Sequence, residues 1–503
     1  MAAPGKLRRI GCLLGTGLVL GFGLKVAARA PVADTPELTL DLAGAVEAAL
    51  ARNYTLVRAR LDPVIAEQRR RQAAGAFDPV LEVGYSYARD EAPAFLDPLQ
   101  GGTAGTLVES RGGTVALAGV LPTATRYRLQ GRADGTLLTD SGKGPAYTSF
   151  AGLSLTQTLW GAGGPDSVLA PLRIARKRVE MEGEALRGTV MDLITTTVLT
   201  FHEAVLAEQS LQAAQRGYDL AARLLRDNER RVELGVLAPL DILQAQASLA
   251  LREDLLLQSG RRYRDAERHL ARLTQDDWTV LPRPRLRAVA APRPGRRQAD
   301  PQADLRVALE QRPDYRQALQ AVDLAGLEVR RARHEGRPQV EVSGTFGYRG
   351  QGVGLGPARR AVTGQDNQYY SVGGVLRMPL PNRSGRAEAA VAVLEERQRQ
   401  LQLAQLRQEI LLDLEAVADR VETEWARIEA ATRARALAAR ALAAEERKLQ
   451  AGTTTTFVVL QLQDDLTVAE LRELAALTDY QAALAEYDRQ VGLTLVRYGV
   501  DLR

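Results

Sequence analysis

Cysteine is nearly missing from this 503-residue chain, histidine is scarce, and long apolar runs stop after the first thirty residues. The single cysteine, Cys12, lies at the start of the N-terminal apolar run, whereas a lipoprotein leader would carry it after that run. A mature chain that has lost its leader therefore has neither a disulfide nor an acylated cysteine. The three histidines, His202, His269 and His334, are spread over separate helical stretches and are expected to face solvent, which leaves no metal cluster. No glycine-rich phosphate loop and no nucleophile elbow occurs, so covalent chemistry and bound cofactors have no motif to rest on. Basic and acidic residues nearly balance: the formal charge of +5 falls to +1 once Lys6, Arg8, Arg9 and Lys25 leave with a leader, and nucleic acid is not an expected partner. Beyond the N-terminus no apolar run is read as long enough for a membrane-spanning helix. An exported chain of this kind enters a membrane only as strands that close into a barrel.

The N-terminus has the layout of a secretory signal peptide. Lys6, Arg8 and Arg9 form a basic start, Ile10 to Leu24 an apolar stretch, and Val26-Ala27-Ala28 a small-residue cleavage site. Residues 1–28 are assigned to it; a short N-terminal membrane anchor is the lesser alternative.

The remainder repeats itself. At an offset of 259, Leu50 falls on Leu309 and Pro79 on Pro338; at an offset of 217, Gly235 falls on Gly452 and Ile242 on Val459. The first repeat spans 29–280 and the second 303–503, joined by a Pro/Arg-rich connector, 281–302, read as wrapping the helical region. Each repeat carries long Ala/Leu/Glu/Arg-rich stretches with heptad-like spacing, which predict coiled-coil helices over 41–74, 167–234 and 240–273, and over 305–335, 386–450 and 457–491. The longest would span about 100 Å, and two shorter ones laid end to end would match it. Between them lie period-two segments inside 79–160 and 338–380, of the length and alternation of tilted barrel strands, with Gly-rich outer loops. Residues 113–133 predict an extra hairpin turning at Leu121-Pro122-Thr123, which either enlarges the barrel or sits outside the membrane.

The stretches from Leu38 to Asn53, Asp78-Pro79, Leu155 to Trp160, Gly235 to Gln246, Met378 to Ala387 and Gly452 to Leu466, in that order and duplicated behind a leader, resemble the TolC-like outer-membrane efflux protein family. The resemblance covers nearly the whole mature chain. It implies an α+β membrane protein: a homotrimer whose shared β-barrel in the lipid of the Gram-negative outer membrane continues as a long periplasmic α-helical barrel. It also implies an exit duct that works with a periplasmic adaptor and an inner-membrane transporter and performs no catalysis. A soluble periplasmic coiled-coil tether without a barrel is the alternative.

The resemblance places the periplasmic gate at the helix ends. Two carboxylates one turn apart on the last hairpin ring the entrance in the well-studied type, and carried through Gly452 they fall on Val458 and Gln461. Neither is acidic, so that ring is absent or displaced to Asp464 and Asp465, for which a solvated helix face is the favoured reading; a partly apolar, less cation-selective constriction is expected. Asp241 matches an acid that ties the first-half hairpin to an arginine, but the partner position holds Thr454; capping after Pro239 is an equal reading of Asp241. The expected gate is held by the hydroxyls of 453–456 and by Val236, Leu237 and Phe457. Gly235 and Gly452 mark sharp turns that can require positive φ. Tyr85, Tyr87, Tyr348, Tyr369 and Tyr370, with Trp160 at a strand end, predict an interfacial aromatic girdle, with ordinary strand packing as the plainer alternative. Arg69 to Arg71 and the arginines of 283–297 are expected on the solvated exterior.

Overall fold

The computed structural model describes residues 37–91, 95–96, 103–104, 107–138, 145–234, 238–274, 285–289 and 294–501. The leader, Cys12 and the turn residues Gly235, Val236 and Leu237 lie outside the described residues. A short strand β1 (Glu37–Leu40) leads into helices α1 (Leu42–Arg52), α2 (Tyr54–Ala59) and α3 (Leu61–Ala74). The strands β2 (Val80–Glu91), β3 (Phe95–Leu96), β4 (Thr103–Ala104), β5 (Leu107–Val120), β6 (Thr125–Leu138) and β7 (Ala146–Trp160) follow, then α4 (Pro165–Glu233) and α5 (Pro239–Thr274). The second half runs β8 (Arg285–Ala288), α6 (Pro301–Gln311), α7 (Pro313–Glu335), β9 (Gln339–Gly352), α8 (Leu355–Thr363), β10 (Gln368–Arg377), α9 (Arg383–Gln450), α10 (Thr456–Val491) and α11 (Thr494–Arg497).

The duplication is close in length: α4 and α9 have 69 and 68 residues, and α5 and α10 have 36 each. The first helix of each half is not continuous, unlike the single helices expected over 41–74 and 305–335. Asn53 leaves the helix at φ −70°, ψ 120°, and its side chain accepts a hydrogen bond from the Thr55 amide, which starts a new helix. In the second half Arg312 is extended because Pro313 follows it; the proline ring clashes with a helical predecessor but suits the first position of α7. Pro171 sits within α4 near its start without ending it.

The helices form four columns side by side. Helix α4 touches α3 and α5 on one flank and α7 and α10 on the other, and α9 packs on α7 and α10. Each long helix therefore runs beside stacked half-length ones, as the lengths require. The core lies at mid-length of the long helices. Val190, Ile194 and Val198 of α4 pack with Val46, Ala49 and Leu56, and Ile410, Leu414 and Val421 of α9 pack with Tyr480, Tyr487 and Ala308. The α4 stretch is long and apolar enough to pass for a membrane span by composition, contrary to the sequence reading. It is apolar because α1 and α2 cover it.

The connector is anchored to this waist. β8 pairs in parallel with β1, Glu37 opposite Arg285. Tyr480 donates its hydroxyl to the Gly295 carbonyl at 3.1 Å and accepts the Arg297 amide at 3.0 Å. The Arg297 guanidinium pairs with Asp488 and lies 5.1 Å from the centre of the Tyr487 ring. Arg297 is thus a tie-point and not a solvated exterior arginine. His202 also departs from expectation: it is buried against Phe201, and burial pushes its pKa down to about 4.

The sheet is a six-stranded antiparallel meander in the order β2-β5-β6-β7-β9-β10. The hairpin predicted at 113–133 is the longer pair β5–β6, hydrogen-bonded on both sides into the middle of that sheet. Its turn at 121–124 closes with a bond from the Ala124 amide to the Leu121 carbonyl, Ala124 taking φ +63°. Helix α8 lies across the far ends of β9 and β7, against Gly350 and Gly352.

Candidate functional site: a two-faced sheet and the hairpin tips

Alternation along each strand, carried across the ladder by register, sorts the sheet into two faces. One cross-strand row reads Leu81, Leu117, Leu129, Leu153, Phe346 and Tyr370, and all six side chains are exposed. Its neighbours on that face include Val83 with Val115, and Tyr127, Leu155 and Val372. The opposite face carries Arg128, Ser154, Thr345 and Ser371 in one row and Thr114 and Arg132 in another. Leucine and valine standing in the open on one side, with arginine and hydroxyls on the other, define a wall between lipid and water.

Ion pairs on the polar face knit the strands sideways. Arg128 of β6 reaches over β5 to Glu82 of β2 at 2.7 Å, and Arg126 of β6 reaches over β7 to Glu341 of β9. Glu341 also accepts from Gln339 at 2.8 Å. Of the sequence-predicted aromatics, Tyr85, Tyr87, Tyr348 and Tyr370 fall on the apolar face, and Trp160, past a bulge, pairs with Val340 on the same face. Tyr369 does not join them. It sits on the polar face, stacked under the Arg349 guanidinium at 3.6 Å and edge-on to Phe150.

At the other end, α4 turns back as α5 and α9 as α10. Gly452 takes φ +72° in the second turn, with open space around the position of a side chain. Thr454 donates to the Glu445 carboxylate at 2.5 Å, and this bond, with that from Lys448, holds the carboxyl below its usual range. Thr453 bonds the Lys448 carbonyl, and Thr456 is buried. Asp241 accepts the Ala238 amide at 3.2 Å, the local capping role. Phe457, Val458, Gln461, Asp464 and Asp465 occupy one exposed stripe of α10, while Val459, Leu460 and Gln463 on the opposite side are buried.

Asp464 has a partner that the sequence reading did not name. Arg252 of α5 donates to it at 2.6 Å, joining the first hairpin to the second. The arginine side chain is 6% exposed and the aspartate 63%, so a buried cation reaches outward to a hydrated anion. The guanidinium lies against Gly217 of α4, where an added methyl group would sit 2.9 Å from it. The signal in the sequence is an arginine directly after Leu249-Ala250-Leu251, where the helical pattern has room for another apolar side chain. Among the described residues no group of three His, Cys, Asp or Glu side chains is placed to hold a metal ion.

A lipid-and-water wall set on a bundle of long coaxial helices is the architecture of an outer-membrane channel, and the comparisons specify which. Residues 45–274 and 305–492 match the outer membrane efflux protein family, and the chain belongs to it. A search of curated protein sequences finds no match. Among solved structures, the CmeC outer membrane channel of Campylobacter jejuni superposes with a TM-score of 0.68 at 15% identity, covering 90% of this chain and 86% of that one. VceC of Vibrio cholerae gives 0.64 at 15% identity, covering 90% and 96%. The open state of the MtrE outer membrane channel of Neisseria gonorrhoeae gives 0.61 at 18%, covering 90% and 89%. The protein is an outer membrane efflux channel of a tripartite export system in a Gram-negative envelope, and it is not an enzyme.

Proposed function

We propose that the chain works as a homotrimer, each copy supplying one third of a duct that receives cargo from an inner-membrane transporter through a periplasmic adaptor. The observation that carries this reading is that one copy is open on both flanks. Leu61, Val64 and Ile65 of α3 and Leu243, Leu251 and Leu257 of α5 are exposed along one outer column, and Leu394, Leu401, Leu412 and Leu437 of α9 along the other. Apolar residues repeated down both outer columns suit another copy packed on each side. The near-equal repeats would give the helical tube a six-fold pseudo-symmetry that an adaptor ring can grip.

The gate in this reading lies at the hairpin tips. Arg252 and Asp464 hold the two hairpins of a copy together, and the stripe of Phe457, Val458 and Gln461 forms a partly apolar constriction in place of an acid ring. Tyr85, Tyr87, Tyr348, Tyr370 and Trp160 form the membrane-interface girdle. Native mass measurement and heat-modified gel mobility of the purified chain, followed by planar-bilayer recording, test the reading. Three-copy particles that conduct are expected. A monomer extractable without detergent and silent in bilayers would establish the periplasmic tether instead.

A further inference from the structure

We infer that the outer end of the lipid face binds the phosphorylated glycolipid of the outer leaflet, through Arg359 and Arg360 of α8 and Arg111 of β5. Such a site presupposes the channel and the two-faced sheet described above, and needs no particular copy number. Helix α8 lies on the lipid face. A Cβ at Gly350 would meet the Ala358 carbonyl oxygen at 1.9 Å, and one at Gly352 would meet the Pro357 ring at 2.8 Å. Both glycines share the strand parity of Phe346 and Tyr348, on the apolar side. The cross-strand row through Gly350 holds only small residues on four adjacent strands, Gly113, Ala133, Ser149 and Gly350. Four positions nearer the helices the same strands carry Leu117, Leu129, Leu153 and Phe346. That step down in side-chain size seats the helix, and Ala358 and Ser149 are both buried. Helix α8 keeps Ala358, Ala361 and Val362 at least partly covered and leaves Arg359 and Arg360 exposed.

The height of this seat matches a membrane interface. Along β9 the lipid-face positions from Val340, beside Trp160, to Gly352 are uncharged, and that stretch rises about 40 Å. At a barrel tilt of about 40° this is about 30 Å of height, one hydrocarbon thickness. Among the described residues no charged side chain stands on the lipid face of the sheet between those levels. The first is Arg111, in the outer row Tyr87, Arg111, Gly135, Tyr147 and Gly352. One row further out, Arg89 is paired with Glu109 at 3.6 Å. Arg111, Arg359 and Arg360 are exposed, and among the described residues no carboxylate pairs with them. The outer leaflet of a Gram-negative outer membrane is an acylated glucosamine disaccharide bearing phosphates. Guanidinium forks match phosphate oxygens and keep their charge at every working pH, so they can replace the divalent cations that bridge such headgroups. Arg111 stands three strand spacings, about 14 Å, from Gly352 and the start of α8, so one headgroup with two phosphates can meet both. Gly113 and Gly131, each with open space where a side chain would be, leave a shallow seat on β5 and β6 for an acyl chain.

Native mass spectrometry of the purified mature channel, titrated with diphosphorylated lipid A, tests this, with dephosphorylated lipid A and phosphatidylglycerol as companions. Wild type should bind the diphosphorylated lipid most tightly. Arg359→Gln with Arg360→Gln should weaken that binding about 30-fold, and Arg111→Gln alone about fivefold. Arg132→Gln, on the polar face, should leave it unchanged. Equal affinity in wild type and the double variant, or equal affinity for the phosphorylated and dephosphorylated lipids, would overturn the site. Phosphatidylglycerol binding as tightly as diphosphorylated lipid A would overturn the glycolipid as its occupant. Planar-bilayer recording of the same preparations separates the two levels. If they conduct, a failure to bind is confined to this site; a chain silent in bilayers loses the lipid face, and the site with it.

Discussion

The Arg252–Asp464 pair makes an asymmetric prediction, because its two ends sit in different surroundings. Replacing Arg252 by Ala frees a carboxylate that is already largely hydrated; the loss is one charge-assisted hydrogen bond and the packing of the arginine stem, about 1 kcal/mol per copy. Replacing Asp464 by Ala strands a guanidinium whose Nε already has no partner, inside a helix contact it cannot leave without disturbing Gly217. That costs about 2–3 kcal/mol, because a buried cation loses its counter-charge. With tenfold in an equilibrium per about 1.4 kcal/mol, tip separation should rise about fivefold in the first variant and about 30- to 140-fold in the second. Open fraction in single-channel recordings reads this directly, with heat-modified mobility as the check on folding. The charge-swapped pair Arg252→Asp with Asp464→Arg should recover part of the closure. An unchanged open fraction in Asp464→Ala refutes the lock. A larger effect from Arg252→Ala than from Asp464→Ala refutes the burial argument, even if the pair matters.

Other expectations are independent of the gate. Gly161 and Gly452 both have positive φ, but a Cβ at Gly161 would meet the Pro338 carbonyl oxygen at 1.8 Å, whereas Gly452 has open space. Gly452→Ala should therefore cost about 1 kcal/mol, and Gly161→Ala several-fold more; equal melting temperatures for the two variants would contradict this. His202 is neutral in the fold down to about pH 4, while its unfolded counterpart takes up a proton below about 6.5, so stability falls as pH drops through that window, by about 3 kcal/mol per copy. His202→Phe should flatten the thermal midpoint between pH 7 and 4.5, and an unaltered slope would remove histidine from the account. Tyr480→Phe deletes two bonds to the connector, about 1–2 kcal/mol, and should speed tryptic cleavage after Arg296 and Arg297.

The long-range plan was legible in the sequence because it is periodic. Helices of 69 and 68 residues, the strands and the hairpin turn were all visible as spacing. What escaped was local or non-local chemistry. Asn53 breaks a helix through one side-chain bond, and a helical pattern tolerates asparagine until its capping geometry is seen. His202 reads as one more polar residue on a helix, yet the chain folds over it. The Arg252–Asp464 contact joins positions 212 apart in the chain and has no equivalent in the repeat register, so no internal comparison reveals it. Tyr369 and Tyr370 are adjacent, and period two alone puts them on opposite faces, so only one of them could belong to a girdle.

The hairpin's even strand number has an evolutionary meaning. A chain that leaves β2 at its far end, adds one down-and-up pair and resumes at β7 returns with its direction unchanged, so α4 starts where it would have started without the insertion. The sheet can therefore gain or lose one hairpin while every helix keeps its neighbours. The sheet is free to diverge in strand number while the helical half keeps its order of packing.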